Sequence, residues 1–172
     1  MTPFIDSYAS DRLLFEVRQE RHAAEVFELF CERELYTYLQ REPPSSIEWL
    51  AGGFKQLESL VSRNGEEIML GWIAKDKTTR NPVGVFEITV VKDDAYIAYT
   101  VFRPYWRRGF AVEAARAMIE FISKAYPVKR FIIEMDTRNR ASIKVAEKLG
   151  FEFIRVKDNA CFLKGLVSHE FV

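Results

Sequence analysis

Three apolar, strand-like runs joined by turns too short for a crossover constrain this chain more than any other feature. Residues 68–74, 83–91 and 95–102 carry the β-branched and aromatic weight of strands. The turns Asn81-Pro82 and Lys92-Asp93-Asp94 allow antiparallel hairpins only. An antiparallel meander therefore occupies the middle of the chain. After Pro104 the pattern becomes helical, from about Arg107 to Tyr126. Its apolar stripe is Ala111, Ala115, Met118, Ile119 and Ile122, and Pro127 stops it. Residues 131–135 then read as a short buried strand of the parallel kind.

The flanking segments complete the pattern. Residues 12–18 alternate as a strand, and Ala23, Val26, Phe27 and Phe30 recur at helical spacing. Pro43-Pro44 breaks the chain. Ser45 or Ser46 then caps a second helix carrying Ile47, Leu50, Phe54, Leu57 and Leu60, which should end near Asn64-Gly65. Asn139 opens a last helix with Ile143, Ala146 and Leu149 inward and Gly150 as its stop. Residues 151–156 and 161–166 read as closing strands around the turn Asp158-Asn159. The order is β-α-α-β-β-β-α-β-α-β-β, an α/β class with a mixed, mostly antiparallel sheet flanked by helices. No repeat, linker or low-complexity tract appears, so residues 1–172 read as a single domain.

Composition excludes several functions. With 25 Lys+Arg against 25 Asp+Glu, the chain has no electrostatic footprint for nucleic acid or an anionic membrane. Its apolar runs are far below the ~18 residues of a membrane span. Asp6 and Asp11 interrupt the stretch where a signal peptide needs an apolar core. Cys31 and Cys161 are far apart with no CxxC, as in reduced thiols of a cytoplasmic protein. Two His and two Cys, all dispersed, predict no metal site.

The helix expected from about Arg107 opens Trp106-Arg107-Arg108-Gly109-Phe110-Ala111, with two arginines against its own dipole. They are either solvated surface side chains or groups held for an anion. Gly109 favours the anion. A glycine costs a first helical turn about 1 kcal/mol against alanine, but it lets backbone amides approach a ligand closely. Free amides, the dipole and two guanidinium groups together suit a phosphate or pyrophosphate. The segment is neither a Walker loop nor a full Rossmann glycine pattern.

Residues 99–116, Tyr-Thr-Val-Phe-Arg-Pro-Tyr-Trp-Arg-Arg-Gly-Phe-Ala-Val-Glu-Ala-Ala-Arg, resemble the pyrophosphate loop of the GNAT superfamily of acetyl-CoA-dependent N-acetyltransferases. Residues 136–151, Asp-Thr-Arg-Asn-Arg-Ala-Ser-Ile-Lys-Val-Ala-Glu-Lys-Leu-Gly-Phe, are similar to the second signature of its branch of ribosomal-protein N-terminal acetyltransferases. Weaker similarity covers residues 10–15 and 162–165. The resemblance implies a sheet whose central strand pair splays, with pantetheine in the gap. It implies that backbone groups of Val101 and Phe102 pair with pantetheine, that Arg107, Arg108, Gly109, Phe110 and Ala111 hold the pyrophosphate, and that Asn139 hydrogen-bonds pantetheine. Trp106 departs from the Gln or Arg of the common pattern. Asn139 is equally suited to be an N-cap.

For catalysis the resemblance implies a general acid on the last helix, but the position of the usual tyrosine holds Ala146. Ser142 is the substitute, as a hydrogen-bond donor to the sulfur or as a plain surface serine. A base must deprotonate an ammonium. Glu87 is the first candidate, on a strand face with Val83, Val85, Thr89 and Val91, and Glu134 the second, with Asp136 beside it. Each can instead be a salt-bridged structural carboxylate. Tyr36, Tyr38, Trp49 and Phe54 surround Glu42-Pro43-Pro44 and form either a substrate mouth or the core of two helices. The expected reaction is direct transfer from acetyl-CoA to an amine in a ternary complex, with no acetyl-cysteine intermediate. A protein N-terminus, an amino acid and an aminoglycoside-like amine all fit, and so do a monomer and a homodimer. The alternative is a non-catalytic acyl-CoA sensor or scaffold.

Overall fold

A computed structural model of the chain describes residues 3–163 and 166–172. In order its elements are β1 (Tyr8–Ala9), β2 (Leu13–Val17), α1 (Ala23–Phe30), α2 (Ile47–Leu57), β3 (Glu67–Asp76), β4 (Pro82–Val91), β5 (Asp94–Val101), α3 (Phe110–Ala125), β6 (Arg130–Ile132), β7 (Met135–Asp136), α4 (Arg140–Leu149), β8 (Val156–Leu163) and β9 (Leu166–Phe171). Single 3-10 turns lie at Glu20–His22, Arg33–Tyr36 and Arg103–Tyr105. Six strands form the main sheet in the order β1-β2-β3-β4-β5-β6, antiparallel throughout except for β5 with β6. The class and the mostly antiparallel sheet are those expected.

Alternation along the meander divides the core between the two sheet faces. Phe86 and Ile88 of β4 pack with Trp72 and Leu70 of β3 against Phe110, Met118 and Ile122 of α3. Val85 and Ile73 point the other way, onto Val26 and Phe30 of α1 and Leu50 and Phe54 of α2. Helices thus cover both faces. The second helix begins as expected, with the Ser46 side chain accepting from the Trp49 N–H. It stops at Leu57, well short of Asn64, because Leu60 turns into a positive φ of 60°.

Two strand expectations are corrected. The run 131–135 is divided between two sheets. β6 pairs with β5 at three positions only, Asp94 with Arg130, Ala95 with Phe131 and Tyr96 with Ile132. β7 then pairs with β9 in a separate sheet of order β7-β9-β8. Beyond Tyr96, β5 therefore has a strand neighbour on its β4 side alone among the described residues. At the end of the chain, residues 151–155 form no strand, and Asp158-Asn159 is no turn. β8 starts at Val156 and runs through Asp158 and Asn159, and Asn159 takes a φ of 52° where the β8–β9 register shifts between Lys157 and Cys161. An Asn at positive φ marks a bulge as readily as a turn. The expected strand 161–166 and the weak similarity at 162–165 fall partly outside the described residues. No helix among the described residues is long and apolar enough to cross a membrane.

Candidate active site

The open flank of β5 borders a cavity of about 750 Å³. Strand alternation dictates what β5 shows to it. The Phe102 N–H donates to the Val83 carbonyl at 2.9 Å, so the backbone groups of Phe102, Thr100 and Ala98 face β4. Those of Ile97, Tyr99 and Val101 face the gap. Phe102 is fully buried in the core under α1 and α2, and its N–H is not available to pantetheine. Val101 lines the cavity, but its carbonyl already accepts from the Trp106 indole Nε1–H at 2.6 Å. Trp106, the departure noted in the sequence, thus occupies an acceptor on the open edge.

The arginines do not stand inside the helix. α3 begins at Phe110, with Gly109 as its N-cap at a φ of 81°, a left-handed conformation that favours glycine. Arg107 also has a positive φ, 61°, so Arg107 and Arg108 belong to the loop before the helix. The expected conflict with the dipole within the first turn is replaced by a loop conformation that Gly109 makes accessible. Arg107, Gly109, Phe110 and Ala111 line the cavity. Arg108 does not. Its guanidinium stacks on the rings of Tyr105 and Phe110, 5.5 and 5.4 Å from their centroids. Arg12 braces the same loop by donating from Nη1 to the Arg108 carbonyl and from Nε to Glu113, at 3.2 and 2.6 Å. Burial pushes the Glu113 carboxyl up, but the Ser10 hydroxyl and the N–H and guanidinium of Arg12 more than offset this and hold it below the usual range.

α4 supplies the opposite wall. Asn139 is its N-cap, accepting from the Ser142 N–H at 3.1 Å, and both residues line the cavity. Arg140, Lys144 and Lys148 add cations that the sequence reading missed. Their i, i+4, i+8 spacing on one helix face was the available signal. Asp136 anchors this end. Its carboxylate accepts from the Arg138 backbone N–H, from two guanidinium nitrogens of Arg138 and from the Ser168 hydroxyl. The Arg138 guanidinium chiefly, with Ser168 and the backbone N–H, outweighs burial and keeps its carboxyl well below the usual range.

A second, smaller cavity of about 50 Å³ lies on the α1/α2 side and shares Thr100 with the first. Glu87 lines it and is ion-paired with Arg18, whose guanidinium is buried, lies 5.1 Å from the Phe54 ring centroid and leaves Nε without a partner. Glu134 lies on the exterior, paired with Lys157, and lines neither cavity. The aromatic residues divide. Tyr36 and Phe54 belong to the core, while Tyr38 and Trp49 are exposed, Trp49 at 61%. Tyr36, Phe54 and Trp49 line the small cavity and Tyr38 the large one. Cys31 is a free thiol that lines neither, and the side chain of Cys161 lies outside the described residues.

The family described as acetyltransferase (GNAT) domain matches residues 12–152. YkkB, an uncharacterised protein of Bacillus subtilis, is 28% identical over 151 residues, 84% of each chain. YoaA, an uncharacterised N-acetyltransferase of Bacillus subtilis, is 23% identical over 155 residues, 88% of this chain and 84% of its own. Among solved structures, RimL, a ribosomal L7/L12 alpha-N-protein acetyltransferase in complex with coenzyme A, superposes with a TM-score of 0.83 at 20% identity, over 96% of this chain and 95% of that one. The ribosomal-protein-S5-alanine acetyltransferase of Vibrio fischeri gives 0.83 at 16%, over 97% and 94%.

Proposed function

The chain belongs to the acetyltransferase (GNAT) domain family, and from that premise we propose that it is an N-acetyltransferase moving an acetyl group from acetyl-CoA to a primary amine. The observation that carries this reading is the flank of β5 from Ile97 to Val101, which has no strand neighbour among the described residues. It faces a cavity that has a glycine-capped helix start at one end and shares the lining residue Thr100 with a second cavity. The residues present fit the donor. The gap accepts an extended pantetheine, the amides around Gly109 with Arg107 suit its pyrophosphate, and Asn139 and Ser142 reach it from α4. Arg108 acts through its backbone and through its stacking on Tyr105 and Phe110.

In this reading the amine enters the smaller cavity and attacks across Thr100 in a ternary complex. Glu87 accepts the ammonium proton directly or through water, and Arg18 orients that carboxylate. The Val101 N–H, facing the gap, is placed to support the developing oxyanion. Ser142 donates to the sulfur as the thiolate leaves, which a thiol pKa of about 8.5 makes tolerable near neutrality without a strong acid. Glu134, outside both cavities, has no part.

Two observations favour the alternative, a non-catalytic acyl-CoA sensor: Ala146 stands where a tyrosine acid would be, and Glu87 is already engaged by Arg18. The test is a panel of peptide N-termini, amino acids and small amines, with free thiol release from acetyl-CoA as readout and calorimetric CoA binding alongside. Thiol release with at least one amine class is expected. CoA binding without release across the panel supports the sensor, and equal preference for CoA and ATP refutes both.

A further inference from the structure

Tyr99 carries chemistry that the acyl-transfer reading leaves unused. It lies on the unpaired flank of β5 and lines the large cavity together with Ser142 and Val101. Its ring stacks on Phe86, 6.4 Å between centroids at 26°, which fixes the direction of the phenol. The hydroxyl is cut off from solvent and has no hydrogen-bond partner. A buried donor left unpaired is costly to the empty protein and calls for a reason. The Ser142 hydroxyl lies alongside, short of ordinary hydrogen-bond geometry. Burial raises the phenol above its ordinary pKa, with Ser142 offsetting part of the rise, so the group remains a protonated donor near neutral pH.

We propose that Tyr99 is a positioning residue for thioester cleavage: its hydroxyl donates to the Ser142 hydroxyl, which then donates its own proton toward the sulfur. This rests on the acetyl-CoA reading above. A serine hydroxyl alone rotates freely. A donor on its oxygen fixes the lone pair, aims the remaining O–H and strengthens it through cooperativity. As the amine nitrogen bonds to the acyl carbon and the C–S bond breaks, the bonding pair goes to sulfur. Of the two protons the ammonium loses, the first goes to Glu87 or water before attack and the second to water as the amide forms. Tyr99 and Ser142 keep their protons and stabilise the thiolate, which takes a proton from water after release. Tyr99 thereby supplies, from the strand, part of what Ala146 withholds on the helix.

The test uses CoA labelled with carbon-13 beside the sulfur and follows its NMR shift with pH when bound to the intact protein. Wild type should bind CoA with its thiol acidified about tenfold relative to free CoA, the scale of one charge-assisted hydrogen bond. Tyr99→Phe, which keeps the ring on Phe86, and Ser142→Ala should each abolish that acidification, and the double variant should do no more. Tyr99→Phe should also lower kcat about tenfold with KM for acetyl-CoA changed less than about twofold, the split expected for stabilisation confined to the transition state. The empty Tyr99→Phe protein should unfold at a temperature no lower than wild type, because only an unpaired hydroxyl is lost. An unshifted thiol in wild type, an unaltered one in Tyr99→Phe, or additive effects of the two variants overturns the proposal. A Tyr99→Phe protein that loses stability when empty also overturns it, since the hydroxyl is then structural. Failure of wild type to bind CoA in calorimetry removes the acetyl-CoA reading itself, whereas binding with an unshifted thiol removes only the role of Tyr99.

Discussion

Gly84→Ala should injure both the stability and the chemistry of this protein. Gly84 of β4 stands opposite Val101 of β5. A Cβ there would lie 2.4 Å from the Thr100 carbonyl oxygen, 3.1 Å from the Val101 Cα and 3.2 Å from a ring carbon of Phe86. The two nearest atoms are backbone, so no rotamer change relieves the clash. Restoring ordinary contact requires β5 to retreat by about 1 Å. Overpacking of this kind costs about 1–3 kcal/mol. At about 2 kcal/mol, a chain of this length should unfold roughly 4–8 °C lower. The displaced atoms belong to Thr100, which lines both cavities, and Val101, which lines the larger, so acetyl transfer should fall more than stability alone explains. Gly53→Ala is the control: it lies in α2 with no atom within 4 Å of the added carbon. There the gain in helix propensity should stabilise by about 0.5–1 kcal/mol. The assay is thermal unfolding by circular dichroism beside steady-state turnover. An unfolding temperature for Gly84→Ala within about 1 °C of wild type would refute the packing argument, because that interval is under half a kcal/mol.

Arg107→Glu should weaken CoA about tenfold or more in calorimetry, through loss of a charge-assisted contact and gain of a repulsion. Arg108→Glu should weaken CoA less and instead cost about 0.5–1 kcal/mol of stability in denaturant unfolding, since it removes cation–π contacts. Asp136 has a folded pKa below its unfolded value, so its contribution is present above the unfolded pKa of about 3.9 and is lost as pH falls below it. Asp136→Asn should flatten the acid limb of a stability-against-pH curve below about pH 4 while lowering stability at neutrality. Trp106→Phe frees the Val101 carbonyl and should leave CoA affinity equal or higher, and CoA should change the fluorescence of wild-type Trp106. Weaker CoA binding by that variant would mean the indole contacts the ligand instead of competing with it.

Legibility in the sequence followed the range of the interactions. The meander, the helix stripes and the caps at Ser46, Asn139 and Gly150 are near-neighbour effects, written in periodicity and in single residues with special conformational roles. The helix-start motif around Gly109 was legible for the same reason: amides and a glycine act within one turn. The reading put that start too early, because Arg107 adopts a positive φ that arginine rarely takes. Strand alternation also put Glu87 on one face with Val85, and only the fold showed that this face packs under α1 and α2.

Partner choice lay beyond it. Residues 131–135 are one run, apolar except for Glu134, and only their neighbours in space decide that Ile132 closes one sheet while Met135 joins another. That division opens the flank of β5 and is the physical origin of the cavity. Backbone parity then assigns Val101 and Tyr99 to the gap and Phe102 to β4, a distinction set by register, which side-chain chemistry does not report. Pairing of Glu87 with Arg18 and of Glu134 with Lys157 likewise joins residues 69 and 23 positions apart. Composition and spacing determined which groups this chain has and which local shapes it takes. Long-range packing decided which of those groups remain unpaired beside a cavity, because a backbone or side-chain donor is free only where no other segment folds against it.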